Sequence, residues 1–267
     1  MPTLDARSFA LAVLFCLLPL KVAAQQPFVT DDADVTDKGK VHLQVADEYD
    51  LLQRALYPGK TQNTFGVEVD YGLWKGVEVG FAPPFLALHS SHVAAPQTVF
   101  GLGDSTLHVK YNFYREREGS RLPAMAISAI VQFPTGSVSR RLGTGLTDYY
   151  LNGILQKSVT GKTKLRLNGG ILFAGNTVNG QLGIRTRGRV FTGGGSLVKQ
   201  FTKRLDFGAE ITGAVTSNFQ LSKGQLQTLV GGNYALRKKL SLDFGVTAGR
   251  FSASPRLGAQ LGFSFDF

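Results

Sequence analysis

Hydrophobic and polar residues alternate with period two along most of this chain. From Phe65 to Leu73 one row carries Phe, Val, Val, Tyr and Leu and the other Gly, Glu, Asp and Gly, as expected of a strand between an apolar and a polar environment. The same alternation recurs at Leu107–Phe113, Leu205–Ile211, Leu240–Val246 and Leu257–Phe267. Two kinds of connection take turns between such segments. Short basic turns fall at 74–76, 115–120, 160–162, 202–204 and 237–239, and longer loops rich in Gly, Pro, Ser and Asn at about 53–62, 84–101, 134–147, 175–188, 217–224 and 250–255. Together they predict twelve strands, near 41–51, 63–73, 77–84, 103–115, 122–133, 148–158, 164–174, 189–201, 205–216, 225–236, 240–249 and 256–267.

An even number of strands, with short turns at one end and long loops at the other, predicts an all-β fold: an antiparallel up-and-down transmembrane β-barrel over 41–267 with both termini on the periplasmic side. Strands of ten to twelve residues suit the roughly 25 Å apolar band of an outer membrane. Closure leaves no backbone edge facing lipid. The final strand ends on Phe263, Phe265 and Phe267 in one row, which resembles the C-terminal signal read by the barrel-assembly machinery. A soluble secreted β-protein with its apolar row inward is the alternative. Against it stand the glycines and formal charges of the polar row and the Tyr and Phe placed near strand ends.

Residues 1–24 change the picture only in location. Arg7, the apolar stretch Phe9–Leu20 and the small residues Ala23-Ala24 predict an export signal cleaved after Ala24. Its apolar run is too short for a spanning helix, which needs about 20 residues. The one cysteine, Cys16, falls inside this leader, so the mature chain has no disulfide framework and no cysteine metal site. Residues 25–40 carry Asp31, Asp32, Asp34 and Asp37 without alternation. They form either a partial plug in the periplasmic mouth or a disordered terminus.

Several short motifs resemble one family. They are Pro27-Phe28-Val29-Thr30-Asp31-Asp32-Ala33, Gly39 ahead of the first strand, Gly101-Leu102-Gly103-Asp104 leading to Lys110-Tyr111, and Phe133-Pro134-Thr135-Gly136. They look like the outer-membrane family associated with the meta-pathway of phenol degradation. The resemblance implies a β-barrel channel or transporter that passes small molecules, hydrophobic or aromatic ones among them.

Strand parity places candidate lumen-lining charges at Glu68, Asp70, Glu78, Asp104, His108, Lys110, Arg166, Asp206, Glu210, Asp243 and Arg256. Such charges either set pore width and ion preference or brace a filled barrel by salt bridges. The net charge of +10 does not predict nucleic-acid binding, because the basic residues sit in turns and loops and not on one face. Arg140, Arg141, Arg185, Arg187 and Arg189 are placed to meet lipopolysaccharide phosphates, to attract anionic solutes, or simply to be solvated. Catalytic signatures are weak. His89-Ser90-Ser91-His92 is the one cluster that invites a hydrolase reading, and it lacks a supporting framework. Gly161-Lys162-Thr163 lacks the upstream glycine of a phosphate-binding loop. The expectation is a non-enzymatic outer-membrane barrel without cofactor or metal, its partners being membrane lipid and a small solute.

Overall fold

The computed structural model describes residues 27–218 and 224–267. The expected export signal lies outside the described residues. The strands are β1 (Val41–Leu51), β2 (Gly59–Trp74), β3 (Val77–Ala82), β4 (Pro84–Ser90), β5 (Thr98–Leu102), β6 (Ser105–Tyr114), β7 (Ala124–Phe133), β8 (Asp148–Thr160), β9 (Thr163–Ala174), β10 (Gly188–Gln200), β11 (Leu205–Thr216), β12 (Gln225–Arg237), β13 (Leu240–Gly249) and β14 (Leu257–Asp266). All pairings between them are antiparallel and all belong to one sheet. β1 pairs with both β14 and β2, so the sheet closes on itself.

The fourteen segments make twelve staves. β3 and β4 lie end to end along β2, with Val69 opposite Phe81 and Gly66 opposite Pro84. β5 and β6 likewise form one broken stave, and the Gly103 amide donates to the Pro84 carbonyl at 2.8 Å across the break. The loop expected over 84–101 is therefore corrected: 84–90 and 98–102 are strand. Two causes hid them. Pro83 and Pro84 cannot donate to a ladder, and Phe85-Leu86-Ala87-Leu88 is apolar on both faces, without alternation.

Burial follows strand parity. Val69, Val109, Leu151, Leu167, Ile211 and Val246 are exposed on the outer row, which as a continuous apolar band fits lipid and not water. Aromatics gather towards the two ends of the staves. Near the short turns Trp74 and Phe113 are exposed, and Phe207 lies 6.3 Å from both Phe201 and Phe244. Near the loops Tyr149 stands opposite Phe173.

Residues 27–40 run inside the wall, close to the short-turn end. The Pro27 carbonyl accepts from Gln260 of β14, and the Val29 and Thr30 amides donate to Glu210 of β11. Ala33 packs with Ala124, Ala126 and Ile154 of β7 and β8. The Thr36 amide donates to Glu78 of β3, and the Gly39 amide to the Gly72 carbonyl of β2. Phe28 forms a second small core with Val198 and Leu229. Glycines in the inner row admit this segment: a Cβ on Gly72 would lie 2.1 Å from the Asp37 carbonyl oxygen.

Gly72→Ala should therefore push residues 36–40 off the wall and speed hydrogen exchange at the Gly39 amide. Gly66→Ala, whose Cβ would meet only the Ala46 carbonyl oxygen at 4.0 Å, should leave that exchange unchanged. Equal exchange in the two variants would contradict this docking.

At the opposite end three loops, after β7, β9 and β13, fold over the barrel. Leu142, from the loop after β7, packs on Leu86 and Leu88. Ile184 and Ala253 pack on Leu172, Ala174, Val190 and Ala214 of the wall.

Candidate functional site in the barrel interior

The interior is organised by charge pairs between the wall and the N-terminal segment. Lys110 points inward from β6 and is 1% exposed. Its Nζ lies 2.9 Å from Glu78, 3.0 Å from Asp31 and 3.9 Å from Asp32. Arg166 of β9 reaches Asp32 at 3.2 Å. Asp34 accepts from Gln156 at 3.0 Å and from Lys164 at 3.2 Å. Glu210 accepts the Val29 and Thr30 amides at 2.8 Å each, and the Thr30 hydroxyl also at 2.8 Å. Asn168 and Asn112 complete the cradle by bonding the backbone of Asp31 and Ala33.

Burial and charge oppose each other along this segment. Burial pushes the Asp32 carboxyl above the ordinary carboxylate range, although Arg166 and Lys110 both pull it down. For Asp34 burial also acts upward, but the Lys164 charge and the Gln156 hydrogen bond outweigh it, leaving the group below that range. The pair of directions reflects depth: Asp32 is 5% exposed, while Asp34 sits in an ion pair with about half its side chain in solvent.

The other candidates divide into separate groups. His108 bridges two carboxylates, with Nε2 3.1 Å from Asp70 and Nδ1 3.8 Å from Glu68. Their ligand atoms lie within 4.8 Å of one another, so this is where metal-type donors converge among the described residues. Both ring nitrogens face carboxylates, the geometry of an ion triad. Asp243 accepts from Ser264, Asn233 and Gln44, joining four staves. Asp206 lies in the inner row of β11 and is partly buried.

Asp104 and Arg256 depart from the lumen-wall placement. Asp104 occupies the break between β5 and β6 with 0% exposure. Its carboxylate accepts the Gly136 and Thr144 amides at 2.9 Å each and the Thr144 hydroxyl at 3.2 Å. It is a loop clamp. Arg256 is exposed and precedes β14. His89 lies on β4, exposed, with Nδ1 3.0 Å from the Thr98 hydroxyl, so it belongs to a hairpin rim and not to a loop. Phe263 and Phe265 lie on the outer row of β14, and Phe265 stacks on Phe267 at 6.5 Å.

Between the N-terminal segment and the folded loops lies a cavity of about 380 Å³. Pro27, Phe28 and Val29 bound it on one side; Asn179, Leu182–Ile184 and Ala253 bound it on the other. Leu172, Val190 and Leu229 line part of its wall, and Glu48, Asp50 and Gln62 another part. Glu48 and Asp50 were not singled out by the sequence reading. Their signal is parity alone, since both fall in the same inner row of β1 as His42 and Gln44.

The fold recurs in solved outer-membrane proteins. An outer-membrane channel of the COG4313 group from Pseudomonas putida F1 superposes with a TM-score of 0.70 at 15% identity, over 88% of this chain and 98% of that one. The NanC porin gives 0.58 at 12% identity, over 84% and 98%. The KdgM porin gives 0.52 at 10% identity, over 85% and 99%. At these identities the likeness is one of fold. No curated protein matches the sequence. A family model described as "Putative MetA-pathway of phenol degradation" matches residues 59–267, most of the barrel from β2 onward, and the chain belongs to that family.

Proposed function

We propose that the protein is a passive outer-membrane channel for small molecules, with residues 27–40 as an internal plug that sets its bore. The observation that carries this reading is the pairing of a lipophilic outer row with a hydrogen-bonded polar interior in one closed barrel. No wall so built is needed for a protein that stays in water. The plug fills the short-turn end, the folded loops narrow the other, and the cavity between them is of a size to hold a small solute. Its apolar wall at Leu172, Val190 and Leu229 suits hydrophobic or aromatic molecules. No chemical step is assigned to the barrel, and movement runs down a gradient. Export by the 1–24 signal, recognition of Phe263, Phe265 and Phe267 during assembly, and contact of the loop arginines with lipopolysaccharide complete the proposal.

One observation favours a second reading, a filled structural barrel: the plug is held by buried ion pairs at Lys110 and Arg166. Planar-bilayer recording separates the two. The mature chain should give small conductance steps, and a chain starting at Asp37 should give steps several-fold larger. Silence from both proteins, each shown to be folded by a heat-dependent change in gel migration, would rule out the channel.

A further inference from the structure

We infer that the cavity is a binding site for an organic monocation, a small ammonium compound with an apolar body, held by Glu48 and Asp50. Both acids stand on the same inner face of β1 and line the cavity. Asp50 is 2% exposed, and its Oδ1 is buried with no hydrogen-bond partner among the described residues. Neither acid appears in an ion pair there. The neighbouring amides are engaged elsewhere. Gln62 accepts the Gln181 amide at 2.8 Å and donates to the Asn179 carbonyl at 3.3 Å, and Gln260 donates to the Pro27 carbonyl.

No Lys, Arg or His lines the cavity among the described residues. This sets it apart from the plug region, where each acid of the segment from Asp31 to Asp34 meets a basic side chain. A buried carboxylate without a partner is costly, and a second one two residues away on the same face adds like-charge repulsion. A cation between them relieves both. The opposite wall shapes the rest of the ligand: Leu172, Val190, Leu229 and Phe28 offer an apolar patch, bordered by the uncharged polar side chains of Tyr150, Thr192 and Gln227. A bare metal ion would leave that surface uncovered, whereas an ammonium on an aryl or alkyl body fills both halves. At about 380 Å³ the site lies near the small end of the roughly 300–1,000 Å³ range for ligand pockets, which suits a one-ring compound.

The inference deepens the channel reading by naming a solute class, and rests on it for the meaning of the site. Calorimetric titration of the detergent-solubilised mature protein with benzylammonium, benzyl alcohol and benzoate tests it without conduction. Benzylammonium should bind at least tenfold more tightly than the other two. Asp50→Asn with Glu48→Gln should abolish that margin, while Glu68→Gln, outside the cavity lining, should keep it. Equal binding of benzyl alcohol, or no binding of benzylammonium to protein with the folded gel mobility, overturns the proposal. Titration of sodium, potassium and calcium chlorides alone reads the inorganic source of positive charge: tight binding of one of these with none of benzylammonium also overturns it. The probe comparison on the unsubstituted chain stands even if the double variant does not fold. Binding without bilayer steps would remove the channel reading alone, and steps without binding would remove this one alone.

Discussion

Lys110→Met is expected to release the N-terminal segment from the barrel and enlarge the conductance steps towards those of the chain starting at Asp37. Lys110 is the shared counter-charge of Glu78, Asp31 and Asp32, and its removal leaves carboxylates in a buried site with Arg166 as the nearest remaining positive partner of Asp32. Breaking one side of a buried ion pair costs about 3–5 kcal/mol, because the orphaned charge stays desolvated. The strand ladder does not run through this side chain, so the loss falls on docking of the segment rather than on closure of the barrel. Heat-dependent gel migration should therefore survive while bilayer steps grow. Replacing the charges together, as Lys110→Met with Glu78→Gln and Asp31→Asn, should recover much of the docking, since neutral side chains of similar shape leave no stranded charge. The single variant should also respond to acid. Asp32 already holds its proton above the ordinary carboxylate range through burial, and losing Lys110 removes one of the charges that hold it down. A raised carboxyl opposes docking at pH values above its own pKa, and that opposition fades as pH falls through it. Steps of the variant should thus shrink on acidification towards those of the unsubstituted protein. Steps indifferent to both the substitution and pH would refute the role given to Lys110.

The barrel was legible because its physics is periodic. A two-residue repeat with short basic turns and long loops taking turns is enough to place twelve staves, and the described strands keep their expected order. What was lost is aperiodic. The upper halves of two staves, β4 and β5, hide behind Pro83-Pro84 and an all-apolar run that faces Leu142 on its inner side and solvent or lipid on its outer side. The interior was legible in part. Parity puts Glu78, Lys110, Arg166 and Glu210 in the inner row, but nothing in their spacing says that, beyond the cross-strand pair of Glu78 with Lys110, their partners come from residues 29–36 and not from facing staves. The clue was compositional: an acidic, non-alternating stretch lies in the same chain as inward-facing Lys and Arg. Asp104 shows the opposite limit. Read as a wall residue by its place before β6, it sits at a break in the stave, where long-range folding of the 134–147 loop decides its partners. Glu48 and Asp50 share a row with His42 and Gln44, and their special position appears only once the plug and loops enclose space around them.

Asp104→Ala should loosen the loop after β7 and speed tryptic cleavage after Arg140 and Arg141, whose side chains are already exposed but whose backbone is held in the folded loop. The Asp104 carboxylate holds two backbone amides and a hydroxyl in a site with 0% exposure, so truncation strands the Gly136 and Thr144 amides. Each buried donor left unsatisfied costs about 1–3 kcal/mol. Together they should raise the open population of the loop by roughly a hundredfold, at a factor of ten per 1.4 kcal/mol. Where opening and reclosing are fast, cleavage follows that population, and trypsin should cut after Arg140 or Arg141 faster by a similar factor. The packing of Leu142 on Leu86 and Leu88 opposes opening and limits the gain. Asp104→Asn keeps the shape and one acceptor oxygen, so its effect should be intermediate. Asp148 supplies the internal control. It caps the loop after β9 through the Gly175 and Asn176 amides, so Asp148→Ala should speed cleavage at Arg185 and Arg187 and leave Arg140 and Arg141 as slow as before. If both variants accelerate both sites equally, the substitutions weaken the barrel as a whole; if Asp104→Ala changes neither, the loop is held by Leu142 alone and the clamp has no mechanical role.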